Sequence, residues 1–280
     1  MQPRHFIHNL AVDLVLTKFE TNKHYYITCI ISMEFDLILL VIIGLITGVI
    51  NTFAGGGSLL TLPMLIFLGL PPSVANGTNR IAILIQSIVT NAGFRSKGVK
   101  TYPFSIYFGI SATLGAIIGA QIAVEIDEGI FNKILAIIMV IVVAYLVLQR
   151  RTKYEEIIER VQGKHLWISV ILFFFIGIYG GFIQAGVGFL MLLVLSGINQ
   201  FTLVKSNAIK IVVTGIYTVF AVIIFVINDK MNWEYGLILA AGNATGGWFA
   251  SRWSVKKGDG PVKIFLVIMV IVMAIKLWFY

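Results

Sequence analysis

The 280-residue chain contains a single cysteine, Cys29, so it can form neither an internal disulfide nor a cysteine metal cluster. Charge is scarce as well. Charged residues make up 12% of the chain and hydrophobic ones 58%, against roughly 25% charged in soluble domains. That composition excludes a water-soluble globule and points to a lipid bilayer. Acids are missing where they would matter most: every Asp and Glu lies in a loop or at the end of an apolar run. This argues against a carboxylate proton relay at membrane depth, while leaving proton or sodium coupling open. The four histidines, His5, His8, His24 and His165, also lie outside the apolar runs. With no deep His, Cys, Asp or Glu, the chain offers no metal site, no cofactor site and no enzymatic acid/base pair. Gly55-Gly56-Gly57-Ser58 lacks the GK[ST] ending of a P-loop, which removes nucleotide binding.

The net charge is +8. In a soluble protein this would suggest nucleic acid. Here the Lys and Arg residues cluster in short loops between apolar spans, the positive-inside pattern of membrane proteins. Nucleic acid is therefore not an expected partner.

From Leu37 onward the apolar segments come in two sets. The first runs 37–53, 59–69, 73–94, 103–124 and 129–149; the second runs 166–184, 188–197, 201–227, 234–251 and 261–280. A spanning helix needs about 20 apolar residues, so the short second member of each set reads as a half-helix or one limb of a re-entrant loop. The sets match in order. Gly44-x-x-x-Gly48 aligns with Gly177-x-x-x-Gly181, and Ala54-Gly55-x-Gly57 with Ala185-Gly186-x-Gly188. Asn76-x-x-Asn79 aligns with Asn207-x-x-Lys210, Gly115-x-x-x-Gly119 with Gly242-x-x-x-Gly246, and Lys133 with Lys263. Five pairs in order indicate a duplication.

Loop charge orients the two copies. Arg95, Lys97 and Lys100 are basic, Glu125, Asp127 and Glu128 acidic, and the linker from Arg150 to Lys164 basic again, which reads inside, outside, inside. The second set shows the reverse, with Asp229, Lys230 and Glu234 on one side and Arg252, Lys256 and Lys257 on the other. The expected fold is an all-α polytopic membrane protein of two inverted repeats. Each repeat has a glycine-broken helix and half-helix pair plus about three transmembrane helices. Residues 1–32 are expected to be an extension, disordered or an over-long start, whose deletion leaves transport intact. Residues 33–150 form the first repeat, 151–165 a charged linker, and 166–280 the second repeat.

Polar residues within apolar runs mark the candidate site. Asn76, Thr78, Asn79 and Arg80 follow the double proline Pro71-Pro72, and Arg80 lies about eight residues, or roughly 12 Å, into its helix. Lys210 sits at a comparable depth in the second repeat. Intramembrane cations are costly and by default mark a functional site, although either could instead snorkel or bond backbone carbonyls. Neither has a buried carboxylate nearby in sequence, so a bound anion is a natural counter-ion. The breaks at Gly55, Gly56, Gly57 and Ser58, and at Gly186 and Gly188, offer helix N-termini whose N–H groups suit small anions. Asn207, with Asn76 and Asn79, supplies amides. Asn51 and Gln184 either line the site or cap the broken helices. Gln86, Ser87 and Asn91 fall near the Arg80 face, where they extend a pathway or bond between helices. The paired small residues read as close helix packing, and Trp248, Trp253 and the terminal aromatics as interfacial anchors.

The motif from Gly44 to Pro63, G-x-x-x-G followed by N-T-x-A-G-G-G-S-L-L-x-x-P, with A-N-G-T-N-R at Ala75–Arg80, resembles the TauE/SafE family of anion permeases. Ala185–Phe189 (A-G-V-G-F) and Ser206–Lys210 (S-N-A-I-K) extend the resemblance to the second half. Arg80 is a departure, since many members lack an arginine after the Thr-Asn pair. The resemblance implies movement of sulfite, sulfonates, thiosulfate and related anions, usually as export. The expected function is thus secondary transport of a small, sulfur-containing oxyanion by alternating access at a midplane site. An anion channel, a membrane-embedded sensor and an enzyme are the alternatives, in that order. The plasma membrane of a bacterium or archaeon is the expected location, and a homodimer is one option for assembly.

Overall fold

The computed structural model describes residues 37–148 and 159–254. The N-terminal extension, most of the charged linker and the last apolar segment, 261–280, lie outside the described residues. Contacts divide the chain at Leu40, and the architecture below is that of the unit from Leu40 onward.

Every regular element described is helical. In order these are α1 (Leu37–Phe53), α2 (Ser58–Phe67), α3 (Pro72–Arg95), α4 (Phe104–Glu125), α5 (Glu128–Leu148), α6 (Gly163–Phe182), α7 (Val187–Leu192), α8 (Leu203–Ile227) and α9 (Trp233–Ser254). The chain leaves α7 through a widened π-helical stretch, Leu193–Ile198. Local chemistry sets the ends. The break after α1 passes through Gly55 at φ +78° and α2 stops before Gly69 at φ +90°, a left-handed backbone that glycine adopts without penalty. Pro72 opens α3, where its missing N–H would be unpaired anyway. Thr202 caps α8, its hydroxyl accepting from the Lys205 N–H at 3.3 Å.

The chain is an integral, multi-pass membrane protein. Helices α4, α6 and α8 are long and apolar enough to cross a bilayer. Their outward faces carry Ile110, Leu114 and Ile118, then Ile171 and Phe175, then Phe220 and Ile223, all exposed. Apolar surface of this extent belongs against lipid. Polar residues turn inward instead: Asn76, Thr78, Asn79 and Arg80 of α3 and Asn243 of α9 are buried. The short α2 has no outward face, being buried from Ser58 to Ile66. Its Leu59, Leu62 and Leu65 join a core with Phe131, Leu135 and Met139 of α5.

The small-residue pairs mesh helix against helix. Gly44 and Gly48 of α1 lie on the backbone of α9 around Gly242 and Gly247, and Gly177 and Gly181 of α6 lie on Ala112 and Ala116 of α4. Residues of α4 and α8 climb in step, Phe108 and Ala112 beside Ile209 and Val213, then Val124 beside Phe225. In α3 and α8 the order is opposed, with Ser87 beside Gly215 but Gly77 beside Phe225. Helices α1, α3 and α9 therefore run one way and α4, α6 and α8 the other. The basic loops gather on one face. Arg252 donates to Ser96 Oγ, and Lys205, paired with Glu159 at 2.7 Å, lies over the rings of Phe104 and Phe201. The turn from Asp229 to Glu234 lies at the opposite face, where Met231 packs beside Val124 and Phe225.

Any side chain at Gly177 would run into the Ala112 backbone, whereas nothing stands within 4 Å of a Cβ at Gly197. Gly177→Leu is expected to destabilise the protein by at least the ~1–3 kcal/mol typical of overpacking, and Gly197→Leu by far less. Thermal denaturation of the two detergent-purified variants checks this.

Candidate functional site

The two glycine breaks cross each other at the centre of the bundle. The Gly188 N–H donates to the Gly55 carbonyl at 3.2 Å, and a Cβ on either glycine would overlap the other's Cα. The contact is backbone on backbone, which only residues without side chains allow.

On each side of the crossing, a cation from one half grips the broken helix of the other. Arg80 is 0% exposed. Its Nη1 donates to Gly180 O at 3.1 Å, and its Nη2 donates to Gly181 O and, at 3.3 Å, to Phe182 O. These are the last carbonyls of α6. The guanidinium face lies 4.6 Å from the Phe225 ring centroid, a cation–π contact. Gln184 Oε1 and Asn76 Oδ1 stand at 3.4 Å, and Asn76 Nδ2 donates to Phe182 O at 2.7 Å. Lys210 is 1% exposed. Its ammonium donates to Asn51 O at 2.9 Å, Thr52 O at 3.1 Å and Asn207 Oδ1 at 2.7 Å. Asn51 and Thr52 are in the last turn of α1. Final-turn carbonyls have no partner within their own helix and form the negative end of its dipole. The two cations thus meet the negative ends of two helices.

Arg80 and Lys210 do not converge on one point. Arg80 stacks on Phe225, which lies fifteen residues past Lys210 on α8, on the order of 20 Å along the helix. Arg80 sits toward the acidic face and Lys210 toward the basic face, with the Gly55–Gly188 crossing between them. The other candidates divide accordingly. Asn76 and Gln184 belong with Arg80, and Asn51 and Asn207 with Lys210. Asn79 ties α3 to α2, accepting from Thr61 Oγ1 at 2.6 Å and donating to Ser58 Oγ at 3.2 Å. Thr78 points elsewhere, accepting from the Asn232 N–H at 2.9 Å before α9. Gly57 stands at the N-cap of α2 and Gly186 at that of α7, and no side chain caps either.

Two buried nitrogens here lack partners among the described residues, Arg80 Nε and Asn207 Nδ2. Asn51 Nδ2 donates to Gln86 Oε1 at 3.1 Å, and Gln86 Nε2 reaches Gly48 O at 3.1 Å, so Gln86 braces the α1 break. Sequence reasoning passed over Thr61, Thr218 (which accepts from Gln184 Nε2 at 3.3 Å) and Phe225. The threonines carried a usable signal as polar residues within apolar runs; Phe225, one of many phenylalanines, carried none. Among the described residues no group of three His, Cys, Asp or Glu is placed to hold a metal ion.

One family model and several membrane-transporter relatives match the chain. The family model described as sulfite exporter TauE/SafE matches residues 40–277. A probable membrane transporter protein of Haemophilus influenzae is 26% identical over 87% of this chain and 97% of its own length. The probable membrane transporter protein YfcA of Escherichia coli K12 is 26% identical over 84% of this chain and 87% of its own. A probable membrane transporter protein, ORF9, of a Sinorhizobium species is 25% identical over 86% and 92%. No solved structure matches the chain significantly. With nearly all of its described residues inside the matched range, and two broken helices gripped by buried cations at its centre, the chain belongs to the sulfite exporter TauE/SafE family of membrane transporters.

Proposed function

We propose that this protein is a secondary transporter of a small oxyanion, sulfur-containing as in sulfite or an organosulfonate, working by alternating access of two inverted halves. The observation that carries this reading is the pair of buried cations bonded to helix-end carbonyls and amides. Carbonyl partners are ones that an oxyanion can replace, since charge-assisted hydrogen bonds to an anion are stronger than those to neutral oxygen. The opposed directions of α3 and α8, and the matching grips of Arg80 on α6 and Lys210 on α1, support the inverted arrangement.

In this reading the anion binds beside the glycine crossing, with Arg80 facing it from the acidic side and Lys210 from the basic side. Asn76, Asn79 and Asn207 orient it, Asn51 and Gln184 flank the breaks, and the backbone N–H groups of Gly56, Gly57, Ser58 and Gly186 donate to its oxygens, those of Gly55 and Gly188 being engaged at the crossing. Thr78 steadies the outer turn. Tilting one half against the other loosens one cation from its carbonyls at a time and offers it to the anion. Halves that move as packed units around a fixed site follow the general logic of inverted-repeat transporters. The protein works in the plasma membrane of a bacterium or archaeon, with the basic loops inside.

The test is flux in proteoliposomes with radiolabelled sulfite and taurine, each against a carboxylate control. Saturable uptake that unlabelled sulfur oxyanions compete away is expected. Carboxylate flux without sulfur-anion flux overturns the cargo, and a non-saturating ionic current overturns the carrier mechanism.

A further inference from the structure

A cleft leads into the bundle from the basic face. Its outer part, about 600 Å³, has Asn91, Arg95, Lys100 and Ser105 among its walls. A smaller inner part of about 250 Å³, itself open sideways past Ile88 and Val219, shares Asn91 and Val212 with it and reaches Ser87 and Gly215 between α3 and α8. Arg95 and Lys100 are exposed, and neither pairs with a carboxylate among the described residues. Farther in, Ser87 is 3% exposed, and among the described residues neither its hydroxyl nor the buried Asn91 Oδ1 has a partner. A buried hydroxyl left unpaired is unfavourable, so a polar guest is the natural complement. Gly215 keeps the inner part open, for a Cβ there would stand 3.2 Å from that of Ser87.

We infer that this cleft is a route by which small anions enter from the basic face, with Arg95 and Lys100 gathering them at its mouth and the Ser87 hydroxyl binding one farther in. The purpose of the route rests on the transport reading; the chemistry of its occupant does not. A rim of one charge sign focuses its field into a cleft and raises the local concentration of the opposite ion. Ile88, 64% exposed, also borders the inner part, so a lipid tail is the competing occupant.

Cysteine labelling separates these occupants. In protein carrying Cys29→Ser, the variant Ser87→Cys is reconstituted and treated from each side with an anionic sulfonatoethyl or a cationic trimethylammonioethyl methanethiosulfonate. Modification is expected from the basic face alone. The anionic reagent should react at least about tenfold faster than the cationic one, relative to their rates with a free thiol. Adding Arg95→Glu and Lys100→Glu should reverse that preference and raise the KM for transport. Asn91→Cys replaces Ser87→Cys if the latter does not fold. Absence of modification, as a lipid-filled groove would give, overturns the route. So does labelling with no charge preference, or a preference that survives the double charge reversal. Labelling needs no transport, so a protein that moves no sulfur anion yet labels as expected keeps the route and loses only the cargo.

Discussion

Arg80→Ala is expected to abolish anion flux and to weaken the fold. Removing the guanidinium strands the Gly180 and Gly181 carbonyls and the Gln184 amide oxygen in a dry interior. Each buried polar group left unsatisfied costs about 1–3 kcal/mol, so a total loss of at least about 3 kcal/mol is expected, in the range for orphaning one partner of a buried charged pair. Arg80→Lys keeps the charge but loses the planar fork that reaches several carbonyls at once. It is expected to recover more than half of the lost stability and only a small part of the flux. Thermal denaturation and proteoliposome flux on the same preparations check both statements. Wild-type flux in Arg80→Ala would show that the guanidinium lies off the transport path and serves only to cap α6.

Substituting the crossing glycines gives the second large effect. Gly55→Ala places a side chain at φ +78°, a left-handed conformation that costs an L-residue roughly 1–2 kcal/mol, and drives its methyl into Gly188. Gly188→Ala lies within α7 and meets only the steric conflict, typically about 1–3 kcal/mol for overpacking. Both variants are expected to lose transport, with Gly55→Ala the less stable. Because the two methyls contend for the same space, the double variant should be less destabilised than the sum of the singles. Strict additivity in melting experiments would mean that the two breaks do not bear on each other.

Much of the fold was legible from the chain alone because its punctuation is strong. Pro71-Pro72, Gly69 and the charged loops bound apolar runs so sharply that α3, expected over 73–94, is Pro72–Arg95. The glycine pairs were readable as helix packing for a similar reason, since little else explains Gly-x-x-x-Gly in an apolar helix. Their partners were not. Gly44 and Gly48 pack on α9, and Gly177 and Gly181, which align with them, pack on α4; each pair meets the corresponding helix of the other half, a contact the alignment does not state. The site divides along the same line. The depth of Arg80 and Lys210 follows from counting residues. What they hold does not, because helix-end carbonyls are present on every helix and only the tertiary fold selects which are in reach. The cations were expected to share one guest, but their depths are measured from opposite faces, and this separates them along α8. The π-helical widening at Leu193–Ile198, where Ser196 Oγ donates to Leu192 O at 2.5 Å, had no signature at all.

The two grips differ in kind, and this bears on the proposed carrier. Arg80 spreads a planar fork over the last carbonyls of α6 and lays its face on Phe225, whereas Lys210 offers a point charge to carbonyls of α1. In the proposed cycle, a seesaw with unlike weights does not balance level. Such a bias cannot drive net movement without a gradient, but it would set the side of the membrane on which a vacant carrier stands ready.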